Sequence, residues 1–255
     1  MNEKTLSGEL QRRFETDGFV ALRQFVAGRE LPELLANVDQ FVREVVPQLS
    51  PEHAFYEDKT DPATLKQIQN MGDYDPQFHE MLTASRFREM AETLLHGPVV
   101  PKNMQYFSKP PGVGSPTPPH QDGYYFMLDP CEAVTMWLAL DDVDAENGCV
   151  RYVSGSHNRG MREHSRTQTL GFSQGIVDYP TTDDAAQEVP LPAKSGDLLI
   201  HSALTIHRAD GNQSPTRSRR ALGLVYYSER ARTDSVAHAA YQRRLAEDMK
   251  AAGKI

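Results

Sequence analysis

The residues of this sequence best suited to chemistry are His120 and Asp122, two apart in the stretch Pro118-Pro119-His120-Gln121-Asp122-Gly123-Tyr124-Tyr125. Read as an extended strand, that spacing points an imidazole and a carboxylate from one face. His207, at the end of a later apolar run, offers a second imidazole. Two histidines and one carboxylate are the ligand set that suits non-haem iron(II) while leaving coordination positions open. Pro118 and Pro119 fix φ on the approach, which lowers the freedom lost when the ligands converge. His201 competes with His207, because the two share a strand face if one strand runs through both. Periodicity does not choose between them. The stretch after His207, Arg208-Ala209-Asp210-Gly211-Asn212, turns the chain and returns a guanidinium at Arg219. That favours His207 for a site holding a dicarboxylate with one end on the metal and the other on arginine, whose planar fork grips a carboxylate and stays charged when buried. Arg217 shares the strand parity of Arg219, and Arg220 has the other.

Several elements must position these groups. Leu6, Leu10 and Phe14 predict a helix over residues 5–16, ended by Gly18. A strand over 19–25 and a helix over 31–46 follow, then a loop over 50–62, a strand over 65–71 and a helix over 87–95 stopped by Gly97-Pro98. From residue 99 the texture changes to short extended runs: 103–107, 120–126, 134–140, 149–153 after the Asn147-Gly148 turn, 198–201 after Gly196-Asp197, and 220–227. Residues 160–193 are long, polar and without pattern, which suits a functional lid. Tyr124, Tyr125 and Phe126 offer an apolar rim or a piece of core. The expected architecture is a single domain, mainly β with flanking helices: helical support over 1–98, a β core over 99–230 and a charged C-terminal helix over 231–255.

A formal net charge of −8 and a pI near 5.6 exclude a broad cationic footprint for nucleic acid or an anionic membrane. Cys131 and Cys149 form no disulfide framework, which fits a reducing, cytoplasmic compartment. No apolar run of about 18 residues is present, and no signal-like segment follows the N-terminal methionine.

Taken together, His120-Gln-Asp122, Val134-Thr-Met-Trp137-Leu-Ala-Leu140, Glu146-Asn-Gly-Cys149, Val153-Ser-Gly-Ser-His157, Gly196-Asp197, and His207 followed by Asn212 and Arg219-Arg-Ala resemble the phytanoyl-CoA dioxygenase family. The resemblance runs from about Phe14 to Tyr227 with its motifs in order. It implies a double-stranded β-helix core (jelly roll, cupin-like) that uses Fe(II), 2-oxoglutarate and O2 to hydroxylate a C–H bond of a small-molecule substrate. It also implies His120, Asp122 and His207 as metal ligands, Arg219 on the distal carboxylate of 2-oxoglutarate, and Gln105 and Trp137 lining the cosubstrate pocket. Gln67 matches a further cosubstrate position where lysine is expected, with Lys66 as the alternative register. Ala209 stands where the family carries a hydroxyl. A carboxylate at Asp122 occupies the place a halide would need, which favours hydroxylation over halogenation. His157 is a candidate hydrogen-bond partner of the ligands. The rival from another class is a non-catalytic, cupin-like module that binds a metal and an organic acid.

Overall fold

The computed structural model describes residues 3–167, 169 and 174–251. Seven strands make the larger sheet: β1 (Phe19–Leu22), β2 (Ala54–Tyr56), β3 (Leu65–Ile68), β4 (Val99–Lys109), β7 (Ala133–Ala139), β12 (Leu198–Ser202) and β14 (Arg219–Ser228), in the order β1-β12-β7-β14-β4-β3-β2. Four make the smaller one: β5 (Thr117–His120), β8 (Val150–Val153), β11 (Glu188–Leu191) and β13 (His207–Ala209), in the order β11-β8-β13-β5. All pairings in both sheets are antiparallel. Two short pairs complete the β structure, β9 (His164–Arg166) with β10 (Gln174–Ile176) and β6 (Leu128–Asp129) with β15 (Arg232–Thr233).

The central strands of the larger sheet are buried on both faces: every residue of β7 is buried, as are Leu198, Leu199, Ile200 and His201 of β12. Met104, Tyr106, Val134, Met136, Leu138, Leu198, Ile200, Leu222, Leu224 and Tyr226 point outward into the main core. There they meet Phe14 of α1 (Glu3–Asp17), Val38 and Phe41 of α2 (Glu30–Glu44), Phe78 and Leu82 of α3 (Pro76–Thr83), and Phe87, Ala91 and Leu94 of α4 (Arg86–Leu94). At about 1.5–3 kcal/mol for each large apolar side chain withdrawn from water, this layer supplies much of the drive to fold. Asp75 caps α3 through the Gln77 and Phe78 amides, and Ser85 caps α4 through the Phe87 amide.

The alternate residues of the same strands face inward. Phe107, Trp137, Ala139, Leu199 and Ala221 meet Val150 and Tyr152 of the smaller sheet in a second core, and Phe19 stacks on Tyr152 at 4.7 Å. Gly223 lies between Gln105 and Trp137 in the register, and a Cβ there would stand 2.6 Å from the Phe107 ring.

Four expectations need correcting. The run 120–126 is not one strand: β5 ends at His120, Asp122 adopts helical angles (φ −59, ψ −33), and α5 (Gly123–Phe126) follows. Tyr124, Tyr125 and Phe126 therefore sit at helical spacing. His201 and His207 do not share a strand; β12 and β13 lie in different sheets. The expected loop over 50–62 contains β2, which pairs with β3. Residues 160–193 hold β9, β10, α6 (Thr182–Gln187) and β11. The sequence reading places no element over residues 76–83, where α3 forms with Pro76 in its first turn, a position at which the missing N–H costs nothing.

Most of the turn motifs serve the frame. Gly196 has φ +89 and its α-carbon faces the Val26 carbonyl too closely for any side chain. The Asp197 carboxylate next to it accepts from the Gln24 and Lys194 amides and from Arg23. Asn147 ties its turn to the Asp142 and Ser218 carbonyls, and Asn212 ties the Lys109 carbonyl of β4 to the Arg217 carbonyl just before β14.

Candidate metal centre

Antiparallel register brings the first ligands together. In the smaller sheet His207 pairs with His120 on one side and Tyr152 on the other, so three inward side chains stand in a row. Asp122, one helical step beyond the end of β5, turns its carboxylate back toward that row. Its Oδ1 lies 3.3 Å from His120 Nε2 and 3.6 Å from His207 Nε2. Ligand atoms of His120, Asp122 and His207 all lie within 4.8 Å of one another, close enough to hold one metal ion.

The hydrogen bonds select the binding tautomer of both histidines. His120 Nδ1 lies 2.8 Å from the Pro118 carbonyl and His207 Nδ1 lies 3.0 Å from the Thr205 carbonyl. A carbonyl only accepts, so each Nδ1 carries the proton and each Nε2 presents a lone pair toward Asp122. Burial pushes the His207 imidazole well below its usual range, and the neighbouring His120 and His201 push it further, so it is neutral when a metal requires it. Burial alone would raise the Asp122 carboxyl. His207, His120 and His201 together hold it well below the usual carboxylate range.

His201 also reaches this carboxylate, from the larger sheet: its Nε2 lies 3.1 Å from Asp122 Oδ2. Thr135 donates to the same oxygen at 2.5 Å. Thr135 was missed in the sequence, although a polar residue on the parity of Trp137 in an otherwise apolar strand was a legible signal. His157 does not join the group. Its Nε2–H donates to the Glu15 carbonyl, and it packs under Gly18.

Arg219 starts β14 on the inner face, opposite Lys109. It is 5% exposed, its guanidinium carbon stands 4.7 Å from the centre of the Trp137 ring, and its Nε donates to the Gly148 carbonyl at 3.1 Å. Among the described residues no carboxylate pairs with it. Burial lowers its pKa to about 10, so it remains a cation at neutral pH. Arg217 is elsewhere, half-exposed and held by Asp144 and Glu146, while Arg220 points outward to Asp141 and Asp39. Gln67 is buried, opposite Phe107, and its amide nitrogen donates to Gln105 Oε1 at 2.8 Å. Among the described residues its own Oε1, which is buried, has no partner. Lys66 is paired with Glu57 at 3.2 Å.

Two facing antiparallel sheets with two imidazoles and a carboxylate converging between them have the layout of the jelly-roll, cupin-like non-haem iron oxygenases. Residues 14–221 match the sequence model of the phytanoyl-CoA dioxygenase (PhyH) family. The chain belongs to that family, and with it to the 2-oxoglutarate-dependent non-haem iron oxygenases. It is 28% identical over 253 residues to phytanoyl-CoA dioxygenase 1 of Oryza sativa subsp. japonica, covering 86% of this chain and 88% of the relative. Among solved structures it is similar in fold to the epimerase SnoN in complex with Fe3+, alpha-ketoglutarate and nogalamycin RO: 22% identity, TM-score 0.70, 90% of this chain and 86% of that one. It is also similar in fold to EctD from S. alaskensis with 2-oxoglutarate and 5-hydroxyectoine: 18% identity, TM-score 0.71, 89% of this chain and 76% of that one. No helix among the described residues is long and apolar enough to cross a membrane.

Proposed function

We propose that the protein is an iron(II)- and 2-oxoglutarate-dependent dioxygenase that hydroxylates a C–H bond of a small molecule. One observation carries this reading. The Nε2 lone pairs of His120 and His207 and the Oδ1 of Asp122 converge in the space between the sheets, and the same space holds a buried guanidinium that has no acidic partner among the described residues. The orphaned Gln67 oxygen supports it from a third side. Exchanging N and O in the Gln67 and Gln105 amides keeps their mutual bond and turns an N–H donor toward a bound oxygen.

His120, Asp122 and His207 would hold the iron, with Asp122 its only anionic protein ligand. Arg219 would hold the distal carboxylate of 2-oxoglutarate, with Gln67, Gln105 and Trp137 shaping the pocket around it. Iron, 2-oxoglutarate and O2 when bound supply the oxidising power for the C–H bond, releasing succinate and CO2. The chain contributes placement and dryness. Trp137, Phe107 and Tyr152 wall the interior against water, and the stack of Trp137 on Arg219 keeps the guanidinium plane fixed. The two solved structures of similar fold hold nogalamycin RO and 5-hydroxyectoine, which supports a small-molecule substrate. Two free thiols support a cytoplasmic setting.

The test is anaerobic loading with Fe(II) and 2-oxoglutarate, then exposure to O2 with a broad substrate panel. Succinate release coupled to a product heavier by one oxygen is expected. A protein that binds both ligands but never forms succinate is a binding module.

A further inference from the structure

We propose that His201 is a positioning residue: it occupies one oxygen of Asp122 so that the carboxylate meets a metal ion through the other alone. The proposal rests on the reading of His120, Asp122 and His207 as metal ligands. Three imidazoles crowd the centre, His207 standing 4.1 Å from His120 and 4.2 Å from His201 between ring centroids. The group whose ligand atoms all lie within 4.8 Å of one another is His120, Asp122 and His207, with His201 beside it on the carboxylate.

Their hydrogen-bond wiring separates them. His120 and His207 each spend Nδ1–H on the backbone carbonyl two residues earlier, which frees Nε2. For His201 the assignment is reversed. Its Nε2 faces Asp122 Oδ2 at 3.1 Å, and an ionised carboxylate only accepts, so Nε2 carries the proton. Nδ1 is then bare, and the Tyr152 hydroxyl donates to it at 3.2 Å. Tyr152 is fully buried, and among the described residues its hydroxyl has no other partner. Tyr152 belongs to the smaller sheet and His201 to the larger, so this relay also bolts the two sheets together beside the centre.

Two consequences follow. A protonated Nε2 has no lone pair, so His201 is not a ligand despite its proximity. With Thr135 on the same oxygen, Asp122 Oδ2 receives two hydrogen bonds, whereas Oδ1 faces the two open Nε2 atoms. The carboxylate is thereby steered to single-oxygen coordination, which leaves a position that a two-oxygen grip would consume.

The test uses the full chain titrated with Mn(II) as a redox-inert probe, followed by calorimetry and by the visible spectrum of the Co(II)-loaded protein. His201→Ala should weaken Mn(II) binding about 10- to 100-fold, in the range typical of partners that orient a metal ligand, and should change the Co(II) spectrum. His201→Gln, which returns an N–H near the lost one, should recover most of the affinity. Tyr152→Phe removes only a hydroxyl and should weaken binding several-fold; it decides the matter if His201→Ala fails to fold. Wild-type affinity and spectrum in both His201→Ala and Tyr152→Phe overturn the proposal. So does complete loss of binding in His201→Ala without rescue by glutamine, which would make His201 a ligand. Retention of Mn(II) by His207→Ala would instead remove the ligand set on which the proposal stands.

Discussion

Replacing Arg219 by leucine should weaken 2-oxoglutarate binding about a hundredfold while leaving the ligand-free protein nearly as stable as before. A charge-assisted hydrogen bond contributes about 1.5–3 kcal/mol, and a guanidinium fork on a carboxylate makes two. A net loss of about 3 kcal/mol is about two decades of affinity. Stability moves the other way. Burial takes the guanidinium from 12.5 to about 10, and at about 1.4 kcal/mol per pH unit the folded protein carries roughly 3 kcal/mol of cost at neutral pH. The folded pKa is the lower of the two, so that cost is present below pH 10 and fades above it. The Trp137 stack offsets about 1–2 kcal/mol and the bond to Gly148 about 1, so the leucine variant should fold within about 1 kcal/mol of wild type. Calorimetric titration of the Mn(II)-loaded protein with 2-oxoglutarate, beside urea unfolding of the metal-free one, reads both quantities. Unchanged affinity, or a stability loss of about 3 kcal/mol or more, would refute the reasoning. The same loss of affinity in Arg217→Leu instead would move the role to that residue.

Gln67→Leu should raise the 2-oxoglutarate requirement about tenfold, one hydrogen bond's worth, whereas Lys66→Met should leave it unchanged and destabilise the fold, because Glu57 loses its cation and is left with the Ser115 amide and hydroxyl; cosubstrate titration and urea unfolding of both variants check this. Gly223→Ala should cost about 1–3 kcal/mol, because the new methyl meets the Phe107 ring, and it should raise the apparent KM for 2-oxoglutarate; an unaltered urea midpoint would count against that packing. Metal-free stability should fall as pH drops through about 6.5. His207 and His164 are both depressed by burial, so the unfolded chain takes up protons there that the folded one refuses. Urea unfolding at pH 7.5, 6.5 and 5.5 measures the slope, and His164→Asn should make it shallower.

Much of this centre was legible in the chain because its chemistry depends on residue type. A carboxylate and two imidazoles are rare enough near apolar strands to stand out, and the alternation of Val134, Thr135, Met136, Trp137 and Leu138 already separates an outward from an inward face. The errors fell where local conformation departs from its pattern. Asp122 looked like a strand residue but leaves the strand through one helical step, and residues 76–83, to which the pattern assigned no element, form α3 behind the Asp75 cap.

The sequence by itself determined which groups were available: the candidate metal donors, the arginines after His207, the glutamines at 67 and 105, and the absence of any broad cationic surface. Only the tertiary structure decided between equals. It assigned Arg219 to the interior and Arg217 to surface carboxylates, and it separated His207 from His201. The physical reason is that these choices depend on what lies across the gap between two sheets. A carbonyl opposite Nδ1 frees Nε2, a carboxylate opposite Nε2 occupies it, and the register that decides which partner each histidine meets is set by strands far apart in the chain.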